Sequence, residues 1–249
     1  MPSKNPLEDR DLDHFLDAAP TSPFDSEREQ RRALVAHLLP LTGLRASAAA
    51  HMTSDWVRWQ RDDIRVPARR ECNCSECQDR LAKLRDQYQT IDADLASLEG
   101  ESWETITDQG VSYLADLNDR LGRRVVRELV EGDGAGLWVP KTESGARTIP
   151  IRNPDLRRHL EDWFRSRRDL GVTRQTIHAD VVDLAEAAGL TRKVFPHHLR
   201  HTFGTRLAAN GANASFIKSV MGHEDLSTSQ QYIELSDQRI HDQADEVML

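Results

Sequence analysis

Apolar residues along this chain recur mostly at helical spacing. Leu12, Phe15 and Leu16 mark one face of a helix over 9–19, which Pro20 and Pro23 stop. Asp25 or Ser26 is placed to cap a second helix, REQRRALVAHLLPLTG, that runs to Gly43. Residues 62–67 read as the first strand. Further on, GLWVPKTESGARTIPIR predicts a strand, a tight turn at Glu143–Gly145 and a returning strand. Helices follow over 153–170 and 175–189, the latter carrying Val181, Val182, Leu184 and Ala185 as its apolar set. Leu199, Phe203 and Leu207 predict another helix. Phe216, Ile217 and Val220 predict one more, with an Asn210–Gly211 turn between the two.

The stretch between the first strand and the 136–152 hairpin has a different texture. Leu81, Leu84, Tyr88, Ile91, Leu95 and Leu98 follow alternating spacings of three and four, a heptad seam. After Glu99-Gly100, Ile106, Tyr113, Leu114, Leu117, Leu121, Val125 and Leu129 line a second face. The pair reads as an antiparallel helical hairpin. Its helices either bury each other or form an arm that clamps protein or DNA.

The densest chemistry lies in FPHHLRHTFGTRLAANGANASFIKSVMGHEDLSTSQQYIEL, residues 195–235. His197 and Arg200, three apart, share a helix face. A second helix ends near Gly222 and delivers His223, and Tyr232 follows nine residues on. Cationic donors, a titratable imidazole and a phenol brought together in this way suit an anionic, phosphate-like reacting group.

In spacing and residue type this stretch resembles the C-terminal signature of the tyrosine recombinases, the phage-integrase family: His-x-x-Arg, then Gly-His, then a tyrosine nine residues beyond. His197, Arg200, His223 and Tyr232 match in register. Thr42-Gly43-Leu44-Arg45 resembles the family's first-arginine segment. Lys141, beside the predicted turn, resembles its hairpin lysine. The resemblance implies an α+β fold: a mostly helical catalytic domain with a small three-stranded antiparallel sheet, here with the helical hairpin inserted over 68–136. It implies a metal-independent enzyme that cleaves and rejoins DNA strands, for recombination or integration, through a 3′-phosphotyrosyl intermediate. Tyr232 would be the nucleophile and His197 the general base. Arg45, Arg200 and His223 would brace the phosphate, and Lys141 would protonate the leaving 5′-oxygen. Two departures stand out. The family's acid three residues after the first arginine is Ala48 here, with Asp55 a possible substitute. Only forty-four residues precede Arg45, too few for the family's separate N-terminal clamp. Relaxation like that of type IB topoisomerases, or a catalytically weak DNA-binding regulator, are the alternative readings.

Composition modifies this in three ways. Net charge is −8, which taken alone argues against nucleic acid. Yet eight arginines face four acids over 147–174, a local basic belt compatible with double-stranded DNA. Within it Arg147, Thr173, Arg174 and Thr176 are candidate DNA contacts, and His201 a candidate backbone contact. The 28 arginines against 5 lysines fit GC-rich coding, and the acid excess suggests a salty cytoplasm. Second, Cys72, Cys74 and Cys77 are an odd, closely spaced set and no secreted disulfide framework. They resemble half of a zinc site, with a fourth ligand from His51, Glu71, Asp79 or another subunit; free thiols or a redox pair account for them equally. Third, no membrane span or leader is apparent, so a cytoplasmic, nucleoid-associated protein that assembles as an oligomer on DNA is expected.

Overall fold

The computed structural model describes residues 6–97 and 135–236. Of these, the residues up to Ala68 and from Pro140 form one compact unit; Arg69–Val139 fall in a second.

In the larger unit, α1 (Asp9–Asp17) and α2 (Glu27–Thr42) come first. The Ser26 side chain accepts from the Glu29 N–H at the start of α2, and Gly43, at φ 61, ends it as a left-handed cap. Between these caps Ala33, Leu34, Val35, Ala36, Leu38 and Leu39 are all fully buried, so α2 is the central helix of the unit. It packs against α5 (Pro154–Phe164), α6 (Arg174–Ala187) and α7 (Pro196–Ala209). Arg31 and Arg32 of α2 both bond the carboxylate of Asp180, which is buried on α6. That contact fixes the register of the two helices with charge-assisted bonds.

A three-stranded antiparallel sheet carries β1 (Val57–Arg58), β2 (Asp63–Val66) and β5 (Arg147–Pro150), in the order β1-β2-β5. The small antiparallel sheet is as expected, but one pairing is not. The strand over 136–138 does not return on 147–150. Residues 147–150 pair with β2, Val66 opposite Arg147 and Asp63 opposite Pro150. The Thr-Glu-Ser-Gly turn is a short 3-10 turn over Glu143–Gly145 rather than a hairpin tip. The helix expected over 153–170 is also shorter, ending at Phe164. Trp163 Nε1 donates to the Asp169 carbonyl, and Ser54 N–H donates to the Arg168 carbonyl. These bonds draw 168–170 alongside residues 52–54 and end the helix.

After α7 come α8 (Ala214–Met221), capped by Asn213 and by left-handed Gly222, and α9, helical over 226–236. Ile217, Val220 and Met221 of α8 are buried, whereas Phe216, expected on the same apolar face, is 47% exposed.

The smaller unit pairs β3 (Arg70–Cys72) with β4 (Gly136–Trp138) and packs α4 (Ser75–Ser97) on β4. A Cβ on Gly136 would stand 2.6 Å from the Cys77 carbonyl oxygen, so only glycine permits this approach. Leu81 and Leu84, the first two seam positions, are buried. The expected second helix, 106–129, lies outside the described residues.

Candidate active site

Three arginines converge on the C-terminal end of α8. The last carbonyls of a helix lack intrahelical donors and carry the negative end of its dipole. Here Arg147 Nε donates to Val220 O at 2.6 Å, Arg200 NH2 to Met221 O at 2.5 Å, and Arg45 NH2 to Gly222 O at 3.4 Å. Arg200 also donates through NH1 to Gly43 O, so one guanidinium ties together the ends of α2 and α8. Arg147 donates a second bond to Gly145 O at 2.9 Å, while its NH2 is buried and without a partner. The sequence reading set Arg147 against DNA; its fork is instead turned inward onto backbone. Arg45 sits at the N-cap of α3 (Ala46–Ala50), the loop-to-helix junction expected of it. Asp55 is exposed, and the carboxylate that acts on Arg45 through space is Glu224.

The α7 helix presents the remaining groups. Pro196 opens it, and the Phe195 N–H donates to His198 Nδ1 at 3.0 Å, which commits His198 to capping. His197, Arg200, His201 and Gly204 then recur at three- and four-residue spacing along one face. Tyr232 lies against that face, 4% exposed, in a cluster with Ile217 and Met221 flanked by Phe203 and Leu207. Its hydroxyl lies 2.9 Å from His201 Nδ1. His223 places its ring parallel to the phenol at 5.6 Å and shares a 2.8 Å hydrogen bond between Nδ1 and Ser229 Oγ. Sequence reasoning did not couple His201 to the tyrosine. The signal was present in its spacing, four after His197 and three before a glycine.

An open cavity of about 590 Å³ lies beside these groups, lined by Arg45, Lys141, Arg174, His197, Arg200 and His201 among others. Of the three residues proposed at the start of α6, Arg174 reaches this cavity. Thr173 caps the helix by accepting from Thr176 N–H at 3.2 Å, and the two hydroxyls lie 3.1 Å apart.

Clustered charge and burial set the protonation states. Burial, with Arg45 and Arg147 nearby, pulls Arg200 down to about 9; burial and Arg45 pull Arg147 down to about 10. Both stay cationic at neutral pH. Burial, then Arg200, Arg45 and Arg147, depress His223 to about 4, so its imidazole is neutral. Burial and His178 lower His197 as well. Burial raises the Tyr232 phenol, and the opposing pull of Arg200 and Arg45 does not cancel it. The phenol is therefore protonated at rest and needs an acceptor before it can attack.

The smaller unit holds the cysteines. Their sulfurs lie within 4.8 Å of one another. Cys74 N–H donates to Cys72 Sγ at 3.5 Å and Cys77 N–H to Cys74 Sγ at 3.4 Å. Tetrahedral thiolates around a zinc ion stand about 3.8 Å apart, so the three donors fit such a site with one position left for a further ligand.

The chain is similar to known proteins in sequence and in fold. Residues 147–239 match the phage integrase family. Tyrosine recombinase XerD of Lacticaseibacillus casei is 41% identical over 69 residues, 28% of this chain and 24% of that protein. XerD of Pseudomonas putida is 31% identical over 109 residues, 44% of this chain and 35% of that protein. The chain thus spans about a quarter to a third of the length of these relatives. Among solved structures, XerA recombinase superposes with a TM-score of 0.56 at 18% identity, covering 99% of this chain and 65% of that one. XerH bound to its difH substrate in a post-cleavage complex gives 0.56 at 16% identity, covering 97% and 52%. Among the described residues no helix is long and apolar enough to cross a membrane. The match to the phage integrase family thus falls within the larger unit, and the fold around it is similar to that of the tyrosine recombinases.

Proposed function

We propose that this chain cuts and rejoins double-stranded DNA by direct transesterification at phosphorus, in site-specific recombination or integration. The observation that carries the reading is a buried phenol hydrogen-bonded to His201, which lines one cavity together with Arg45, Arg200, His197 and Lys141. Tyr232 Oη attacks the scissile phosphorus, the bond to the 5′-oxygen breaks, and a 3′-phosphotyrosyl bond stores the energy for rejoining. Arg45 and Arg200 meet the non-bridging oxygens, whose negative charge grows as phosphorus becomes five-coordinate. Their anchorage on helix ends gives them little room to reorganise. His223 donates from its neutral ring, and His197 faces the same oxygens. Lys141, exposed at the cavity edge, supplies the proton that the leaving 5′-oxygen takes up. Arg174 sits where a flanking phosphate would run, and Thr173 and Thr176 beside it. Double-stranded DNA as partner, and assembly on it as an oligomer, are part of the proposal; XerH, of similar fold, is known bound to its difH substrate.

We also propose a structural zinc ion on Cys72, Cys74 and Cys77, serving the smaller unit and taking no part in strand cleavage.

The test uses nicked duplexes with a randomised centre as suicide substrates. Wild-type protein should form a covalent adduct that survives denaturation, and Tyr232→Phe should bind but form none. Plasmid relaxation without intermolecular products would redirect the reading to a topoisomerase; binding without an adduct would redirect it to a regulator.

A further inference from the structure

We infer that His201 is the residue that takes the proton from Tyr232 when the phenol attacks, an assignment that rests on the transesterification reading. The hydroxyl is 2.9 Å from His201 Nδ1, within hydrogen-bond reach of a general base. The ring cannot easily turn away: Ile217 and Met221 pack around it, and Gly204, one turn along α7, lies against it. His201 also lines the cavity where the phosphate would sit, so the acceptor borders both the phenol and the reacting group.

The neighbouring imidazoles are otherwise engaged. His198 accepts from the Phe195 N–H. His223 meets Ser229 through Nδ1, and at about 4 it is a weak base. The His197 ring lies 4.0 Å from that of His198 and 6.5 Å, edge-on, from that of His201, on the cavity side with Lys141 and the arginines.

His201 carries its ring proton on Nε2 and offers the Nδ1 lone pair. As Oη bonds to phosphorus, the hydroxyl proton passes to Nδ1, the phosphorus–O5′ bond breaks, and O5′ takes a proton from Lys141. Rejoining reverses each transfer.

Single-turnover cleavage of the duplex selected above tests this, with two variants. His201→Ala removes the acceptor. His201→Asn keeps a hydrogen-bonding atom near the Nδ1 position but no base. Both should slow adduct formation about 100-fold or more at saturating DNA, where a change in affinity no longer affects the rate, with the far-ultraviolet circular dichroism of the folded protein retained. The defect should persist on a 5′-bridging phosphorothiolate substrate, whose thiolate leaves without a proton, whereas a Lys141→Ala defect should largely vanish there. A His201→Asn rate within threefold of wild type would overturn the assignment, since a hydrogen bond alone would suffice. So would rescue of the His201 variants by the phosphorothiolate, which would move His201 to the leaving group. Absence of any wild-type adduct would instead sink the transesterification reading itself.

Discussion

Gly204 lies directly beneath the ring of Tyr232: a Cβ at this position would stand 2.5, 2.7 and 2.8 Å from three of the ring carbons. No real side chain packs so closely, and the ring is rigid, so any substitution must displace the phenol or the helix. The glycine is there for close approach.

Gly204→Ala should therefore act on both stability and chemistry. Overpacking of this kind costs about 1–3 kcal/mol. The displaced hydroxyl would also leave His201, so adduct formation should fall by at least tenfold. Tyr232→Phe should abolish the adduct while costing far less in urea denaturation. An alanine variant as stable and as active as wild type would show that the ring does not rest on α7.

Arg147 and Arg174 should separate in a salt titration. Arg147 turns its fork onto Val220 and Gly145 carbonyls, while Arg174 lines the open cavity. Charge-assisted bonds contribute about 1.5–3 kcal/mol each, so Arg147→Met should destabilise the chain and slow cleavage. Its plot of log binding constant against log salt should keep the wild-type slope. Arg174→Ala should leave stability alone and reduce that slope by roughly one. The reverse pattern would return Arg147 to the DNA surface.

These two arginines show where the sequence was legible and where it was not. Features set by neighbouring residues read correctly: the Ser26 and Gly43 caps of α2, the Gly222 end of α8, and Arg45 at the start of α3. Features set by distant partners did not. Thr-Glu-Ser-Gly carries good turn chemistry, yet strand pairing is decided across the insertion, where β2 takes β5 and β3 takes β4. Arg147 sits in a basic run and so reads as surface, but its register opposite Val66 aims it at a helix end. The motif pointed to His197, Arg200, His223 and Tyr232; the hydrogen bond between Tyr232 and His201 required the fold.

Acid should weaken the fold through two histidines. Burial, with His37 and Arg158 nearby, pulls His159 down to about 4, the same value as His223. An unfolded histidine titrates near 6.5, so between these values the unfolded chain binds more protons. Stability then rises with pH across that window, and is lost as pH falls from about 6.5 toward 4. His159→Leu should flatten its share of the slope when denaturation midpoints are compared at pH 7.5 and 4.5. An unchanged slope would mean that His159 is not held neutral.

The cysteines make the last prediction. Burial and the neighbouring sulfurs push the Cys77 thiol far up, so without a metal this thiol stays protonated. A zinc ion would reverse that, drawing off the protons and tying the end of β3 to the first turn of α4. Protein purified without chelator should carry about one zinc per chain, and cobalt substitution should give the sulfur-to-metal charge-transfer band of thiolate ligation. Cys77→Ser should lose the metal and lower the melting temperature in the same measurement, because the binding free energy is also folding free energy. A zinc-free protein whose melting temperature ignores added zinc would leave the three thiols as plain side chains.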